Sequence, residues 1–356
     1  MKILWKGNIF NPTGIATANR ETVKALLKRG HKIQVADIWH SGFDFNKNLH
    51  DLNKAIDVNK EDTTTIFADY PQHWREGVGK LIGCFVHEGT KLHPGWAERL
   101  NIAEKNIVPS KATKNLFKWN GVETPIEVVP YGVNPDLYKP GTKKDANDEF
   151  IFLSVNSWTL QPNDRKGIAL TIKAFDEEFK DEQDVKLLLK VSTFWRKIEL
   201  ADTVAAIREI LGHDNPNILV NVEYLPEEKI ATFYKNSDCF VMPTRGESFG
   251  LTAINAMACG LPIIITKDPN SGHMDFCRGK DSVLWIDAPK MEQADPQFFA
   301  KGNMQPVPDL DCLKKQMRYA FENRKEMKEK ALEVSKDIRE NWTWDKTAEK
   351  FEEAIK

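Results

Sequence analysis

Cysteine is scarce and scattered in this chain of 356 residues. The five cysteines, Cys84, Cys239, Cys259, Cys277 and Cys312, are odd in number and form no C-x-x-C pair. That excludes a disulfide scaffold and the common zinc-knuckle spacings, so reduced thiols are expected. His273, Asp275 and Cys277 alternate as ligands on a strand would, but no second cluster completes a zinc site, and no metal is expected. An excess of one charge is also missing. Lys and Arg number 50 and Asp and Glu 52, a net charge of −2, which argues against a surface built to hold nucleic acid. There is no long apolar run without breakers. Ser248 to Thr266 carries no charge, yet Thr252, Asn255, Gly260 and Pro262 interrupt it. It reads as a helix followed by a buried strand, not as a membrane span. No signal-peptide pattern stands at the start, where Met1 leads straight into the strand-like Lys2 to Trp5. A cytoplasmic protein with at most peripheral membrane contact is expected. No G-x-G-x-x-G follows that first strand, which disfavours a dinucleotide-binding dehydrogenase.

What the sequence does contain is a repeated alternation of short apolar strands with amphipathic helices. Strands are predicted at Lys2–Trp5, His31–Ala36, Thr65–Ala68, Ile82–Val86, Ile107–Val108 and Ile126–Val129. Helices are expected around Val23, Leu26 and Leu27, ending at Gly30, and over Ala112–Trp119. The stretch Tyr138 to Glu149 is polar and reads as a linker. The alternation then restarts, with strands at Phe150–Val155, Val185–Val191, Ile218–Val222, Cys239–Met242 and Pro262–Ile265. Helices are expected at Ile168–Phe179, Glu199–Leu211, Glu227–Tyr234 and Leu251–Cys259. The fold class is therefore α/β, with two tandem Rossmann-like doubly wound domains facing a central cleft. The first covers residues 1–140, a linker 141–149, and the second 150–335. The charged tail, Lys314 to Lys356, is helical and broken at Asn341-Trp342-Thr343-Trp344-Asp345, where two tryptophans suggest a docking point.

Ligands of open α/β sheets bind at the carboxyl ends of the strands, so the strand-to-helix loops carry the information. The richest is Pro243-Thr-Arg-Gly-Glu247-Ser-Phe-Gly250-Leu-Thr-Ala-Ile-Asn255. Its glycines allow close approach to the backbone, and the first turn of the following helix offers free amides and a favourable dipole to a diphosphate. Glu247 suits hydroxyl groups instead. Amides for phosphate beside a carboxylate for hydroxyls point to a sugar nucleotide.

The string Glu247-Ser-Phe-Gly-Leu-Thr-Ala-Ile-Asn255-Ala-Met-Ala-Cys-Gly-Leu-Pro262 resembles the retaining glycosyltransferases of GT-B fold that carry an E-x7-E motif. Asn255 stands where that family has its second acid. Further segments match in the same order. They are Asn11-Pro-Thr-Gly14-Ile15 after the first strand, Val108-Pro-Ser-Lys111, Val128-Val-Pro-Tyr-Gly132-Val-Asn134, Arg165-Lys166-Gly167 before a helix, and Trp342 with Trp344 before the last helix. The resemblance implies that residues 336–356 cross back to the first domain. It implies that Glu247 contacts the donor sugar and that Asn255 lies at the ribose hydroxyls. It also implies that Gly14, Ser248, Phe249, Gly250 and Leu251 line the donor site. The expected donor is a nucleotide-diphosphate sugar, without metal or other cofactor, and the acceptor a saccharide, lipid-linked or protein hydroxyl. Asp309-Leu-Asp311, the one D-x-D string considered for metal, reads as the start of a tail helix.

Lys166 and Arg165 have a chemical reason to matter, because a departing nucleoside diphosphate gains negative charge that fixed cations stabilise. By the resemblance, His87 faces the sugar, with Glu88 as the alternative, and His93 and Trp96 are candidates for the acceptor wall. Arg245 is open to three roles: binding phosphate, orienting Glu247 or forming a salt bridge. Tyr224 and Leu225 are candidates for packing on the base or in the core. Lys111, Lys114 and Lys118 form a basic helix face, read first as solvated and second as a contact for anionic lipid. The competing functions are another GT-B reaction, such as a sugar-nucleotide epimerase or phosphorylase, and an inactive sugar-nucleotide-binding subunit. Asn255 is the feature that favours the last.

Overall fold

The computed structural model describes residues 1–36, 55–74, 77–141, 149–161, 164–192 and 198–356. The chain opens with β1 (Lys2–Gly7), α1 (Gly14–Lys28), β2 (Lys32–Ala36), β3 (Thr63–Ala68) and β4 (Lys80–Cys84). It continues with α2 (Trp96–Leu100), β5 (Lys105–Val108), α3 (Lys111–Trp119) and β6 (Ile126–Val128). These strands form one parallel sheet of order β2-β1-β3-β4-β5-β6. A second lobe follows with β7 (Phe150–Ser157), α4 (Ile168–Phe179), β8 (Val185–Ser192), α5 (Leu200–Leu211), β9 (Ile218–Asn221) and α6 (Glu227–Lys235). It is completed by β10 (Cys239–Met242), α7 (Leu251–Ala258), β11 (Ile263–Thr266), α8 (Met274–Cys277) and β12 (Val283–Ile286). Its parallel sheet has the order β12-β11-β10-β7-β8-β9. Then come an antiparallel hairpin, β13 (Lys290–Gln293) and β14 (Met304–Val307), and three helices. These are α9 (Leu310–Glu322), α10 (Arg324–Asn341) and α11 (Trp344–Ile355).

The sequence favours parallel, doubly covered sheets because β10 and β11 are near-continuous apolar runs, broken only by Thr266. All four residues of β10 and of β11 are buried, as both faces of a parallel sheet require. The chain order reverses between β1 and β3 in the first sheet and between β7 and β10 in the second. These two switch points open crevices at the carboxyl ends of the strands. The uncharged stretch from Ser248 becomes α7 and then the buried β11. Among the described residues no helix is long and apolar enough to cross a membrane.

Some expectations shift. β4 begins at Lys80 and stops at Cys84, where its pairing with Ile107 of β5 ends. Phe85 to His87 therefore belong to the loop and not to the strand. The β13–β14 hairpin was not expected. All four residues of β13 are exposed, so no buried face imposed an apolar alternation on its sequence.

The tail joins the two lobes. Trp342 packs against Phe249 and Phe276 of the second lobe. Two residues on, Trp344 enters the core of the first lobe with Ala348, Phe351, Ala354 and Ile355 of α11. The backbone holds this crossing, with Val133 N–H donating to the Trp342 carbonyl at 2.8 Å. A Cβ at Gly132 would fall 2.3 Å from the Thr343 and Trp344 backbone, so glycine permits the approach. The Phe351 ring lies 5.7 Å from that of Trp5 on β1, and the Glu352 carboxylate takes both Arg29 and His31. Phe351→Ala should therefore cost about 3 kcal/mol or more of stability, as for other buried phenylalanines. Urea unfolding measures this; a loss below about 1 kcal/mol would mean that α11 contributes little to the first core.

Candidate active site

The loops after β7 and β10 meet at the switch point of the second sheet. Asp164, itself buried, accepts from the backbone N–H groups of Ile168 and Ala169, both at 3.1 Å, and so caps α4 from inside. Gly167 takes φ +71° at the start of that helix, and a Cβ there would lie 2.1 Å from the Pro243 carbonyl oxygen. The two loops are thus pressed together, and Arg245 N–H donates to the Arg165 carbonyl at 2.7 Å.

This approach brings Arg165, Lys166 and Glu247 into one cluster. Lys166 Nζ stands 2.5 Å from Glu247 Oε1 and Arg165 Nη1 stands 3.3 Å from the same oxygen. Thr244 Oγ1 donates to it at 3.1 Å. Glu247 is 7% exposed. Its backbone is fixed from the loop after β11, where Ser271 Oγ accepts from Glu247 N–H at 2.8 Å. Burial alone would raise the pKa of Glu247, but Lys166 and Arg165 outweigh it and hold the carboxyl below its usual range. Arg165 also reaches the first lobe, with Glu88 Oε1 at 3.3 Å. Two acids and two cations therefore alternate across the cleft.

The start of α7 faces this cluster. Asp164 caps α4 and Thr13 Oγ1 caps α1, accepting from Ala16 N–H at 3.2 Å. No side chain caps α7, which begins after Gly250 at φ +102°. Its first amides and its dipole remain available to an anion. Gly14, the first residue of α1, comes against Leu251, with a Cβ there 3.9 Å from Leu251 Cδ1. Both lobes thus contribute to the mouth of the crevice.

The other expected residues separate into groups. His87, 5% exposed, lies on the first-lobe side within a cage of Phe85, His93, Trp96 and Phe299. Its Nε2 is 3.1 Å from the Lys91 carbonyl, which can only accept, so Nε2 carries the proton and Nδ1 is the acceptor. Ser248 Oγ is buried and has no partner among the described residues. The Phe249 ring is sequestered against Tyr131, Phe276 and Trp342. Its ring belongs to the core, which leaves its backbone as the part open to a ligand. Arg245 pairs with Glu292 of β13 at 3.1 Å and not with Glu247. Asn255 on α7, and Tyr224 and Leu225 between β9 and α6, are half-buried. Asp309 Oδ1 caps α9, accepting from Cys312 N–H at 2.7 Å. Among the described residues no cluster of three acidic, His or Cys side chains could hold a metal.

Sequence reasoning missed Asn303. This wholly buried side chain on the β13–β14 turn accepts from Thr90 N–H at 2.7 Å and donates to the Glu88 carbonyl at 3.2 Å. It therefore fixes the loop that carries Glu88. Thr244 and Ser271 were missed as well. A polar side chain whose partner lies far along the chain leaves no local pattern to find.

Residues 142–295 match the family model described as glycosyl transferases group 1. The match falls on the second lobe, from the segment before β7 to just past β13. A D-inositol 3-phosphate glycosyltransferase of Segniliparus rotundus is 29% identical over 148 residues, 40% of this chain and 32% of its own length. The match thus spans about a third of that relative. A protein of the Sulfolobus islandicus filamentous virus is 23% identical over 278 residues, 73% of this chain and 68% of its own. Among solved structures, HepE of Anabaena in complex with UDP and glucose superposes with a TM-score of 0.71 at 13% identity. That overlap covers 100% of this chain and 99% of HepE. Sucrose-phosphate synthase of Thermosynechococcus elongatus gives 0.69 at 17% identity over 99% and 98% of the two chains. These likenesses establish the two-domain GT-B fold.

The site buries two histidines in neutral form, and burial pushes His87 and His273 each down to about 4. His273 Nε2–H donates to the Thr266 carbonyl at 2.8 Å beneath the Glu247 loop. A free histidine titrates near 6.5, so below that pH the unfolded chain binds more protons than the folded one. Stability should fall as pH drops from about 6.5 to about 4. His273→Gln should flatten this dependence in urea midpoints between pH 7 and pH 5; an unchanged slope would show that His273 is not buried neutral.

Proposed function

We propose that this protein is a retaining glycosyltransferase. It moves a sugar from a nucleotide-diphosphate sugar to a hydroxyl acceptor, without metal, in the cleft between the two lobes. The observation that carries this is the convergence of Lys166, Arg165 and Glu247 beside the uncapped start of α7. In the free protein both cations sit on the Glu247 carboxylate. A donor diphosphate offers them a second anion, and the α7 amides offer it a third contact. As the glycosidic bond breaks, negative charge grows on the diphosphate oxygen, where these groups already point. Glu247 is left to accept sugar hydroxyls, and His87 Nδ1 can accept another from the opposite side. Asn255 serves the ribose as a neutral hydrogen-bonding group.

The chemistry that fits is front-face substitution. The acceptor oxygen bonds to the anomeric carbon on the side from which the diphosphate leaves, and the leaving oxygen takes the acceptor's proton. Glu88, the other nearby carboxylate, is held by Arg165 across the cleft, and Glu247 by both cations. Neither is free to attack as a covalent nucleophile would. Enclosure by both lobes keeps out water, the competing nucleophile. HepE was solved with UDP-glucose, which makes that donor the first to test, and acceptors extend to saccharides, lipid-linked sugars and protein hydroxyls. The competing reading, a binding subunit without turnover, draws on Asn255.

Glu247→Ala and Lys166→Ala should each lower kcat about 100-fold or more while the protein stays folded. Near-normal turnover in either variant removes that residue from the mechanism. Proton NMR of the first-formed product should show an α-linked donor giving an α-linked product; a β-linked product would overturn the mechanism. Activity should also survive EDTA, and a loss reversed only by added divalent metal would contradict the metal-free reaction.

A further inference from the structure

Lys190 is a lysine inside a parallel sheet, 4% exposed near the carboxyl end of β8. Its ammonium has no hydrogen bond or ion pair among the described residues. Burial lowers its pKa to about 8, and Glu223 is the charged group that opposes the shift. Buried, unpaired lysines are rare because desolvating the charge is costly. The register shows which way it points. Leu187, Leu189 and Val191 of β8 pack in the core beneath α4 and α9. Lys190, between them, faces the opposite side, where Leu188 packs against residues of α6 and α7. Its neighbours in register are Val155 on β7 and Asn221 on β9. Asn221 Oδ1 is also buried without a partner among the described residues. A lone donor and a lone acceptor therefore stand side by side on adjacent strands. Beyond Asn221 the chain continues through Glu223, Tyr224 and Leu225 into α6.

Arg165, Lys166 and Glu247 occupy the switch point between β7 and β10. The next strands outward are β8 and then β9. Strands lie about 4.8 Å apart, so Lys190 and Asn221 stand roughly 7 and 12 Å to one side of the switch point. That is the reach of a nucleoside from its own diphosphate. We propose that Lys190 and Asn221 hold the base of the donor nucleotide, Lys190 donating to an acceptor on the base edge and Asn221 Oδ1 accepting from the N–H beside it. This inference rests on the donor reading above and adds the residues that bind the nucleoside end.

The test separates the two ends of the ligand. UDP, GDP, ADP and CDP are compared by the rise in melting temperature they cause, and the strongest is titrated calorimetrically alongside inorganic pyrophosphate. Lys190→Met should weaken the nucleoside diphosphate about 10-fold or more and leave pyrophosphate unchanged, since a charge-assisted hydrogen bond is lost at the base alone. Lys166→Met should weaken both. Asn221→Leu should act as Lys190→Met does and serves if that variant fails to fold. Lys190→Gln, which keeps a donor, should recover part of the loss. Unchanged nucleotide affinity in both Lys190→Met and Asn221→Leu overturns the proposal, as does a parallel loss of pyrophosphate. Wild-type protein that binds pyrophosphate but none of the four nucleotides also overturns it and leaves the anion site standing. Failure to bind either ligand overturns the donor reading itself.

Discussion

One buried carboxylate shared by two cations organises the centre of this molecule. Glu247 could not remain ionised at 7% exposure without Lys166 and Arg165, because an unpaired buried charge costs several kcal/mol. The cations in turn come from a different loop, which must be held hard against the Glu247 loop. Much of the local architecture serves that approach. Asp164 caps α4 from below, Gly167 lets the Pro243 carbonyl come close, and Thr244 and Ser271 fix the carboxylate and its backbone. The arrangement leaves the start of α7 as the uncapped helix end at the switch point.

The same cluster ties the lobes together. Arg165 carries the interaction on to Glu88 of the first lobe, and Asn303 of the second lobe holds the backbone on which Glu88 sits. At the far end, Trp342 docks on one lobe and Trp344 on the other. The cleft is therefore bounded by crossings of two kinds, polar at the chemistry and apolar at the tail. The polar crossings are the ones a diphosphate would disturb. Arg165 stands between Glu88 of the first lobe and Glu247 of the second, so an anion entering beside it would compete with both carboxylates.

Strands buried on both faces read as apolar runs, and helices covered on one face read as amphipathic. The two parallel sheets and most of their elements were therefore legible without coordinates, while most of the expected linker, 142–148, lies outside the described residues. The loop at Glu247 and the pair Arg165-Lys166 were legible too, because each lies within a few residues of a strand end or a helix start. The hairpin over 290–307 was not, since an exposed two-stranded ribbon imposes no alternation on its residues. The direction of the Phe249 ring was not legible for a related reason: a motif position does not say which way a ring turns.

The sequence by itself determined the two sheets, the strand-to-helix loops at their carboxyl ends and the chemical character of those loops, because local periodicity and short spacings encode them. Only the tertiary structure decided that Arg165 would bridge Glu247 and Glu88, that Arg245 would turn to Glu292, that Asn303 would hold the Glu88 loop, and that Lys190 would stand beside Asn221. Those pairs join residues from 31 to more than 200 positions apart. Which of several nearby charges meet is set by sheet order and by the packing of one lobe on the other, and neither leaves a mark in the local pattern of side chains.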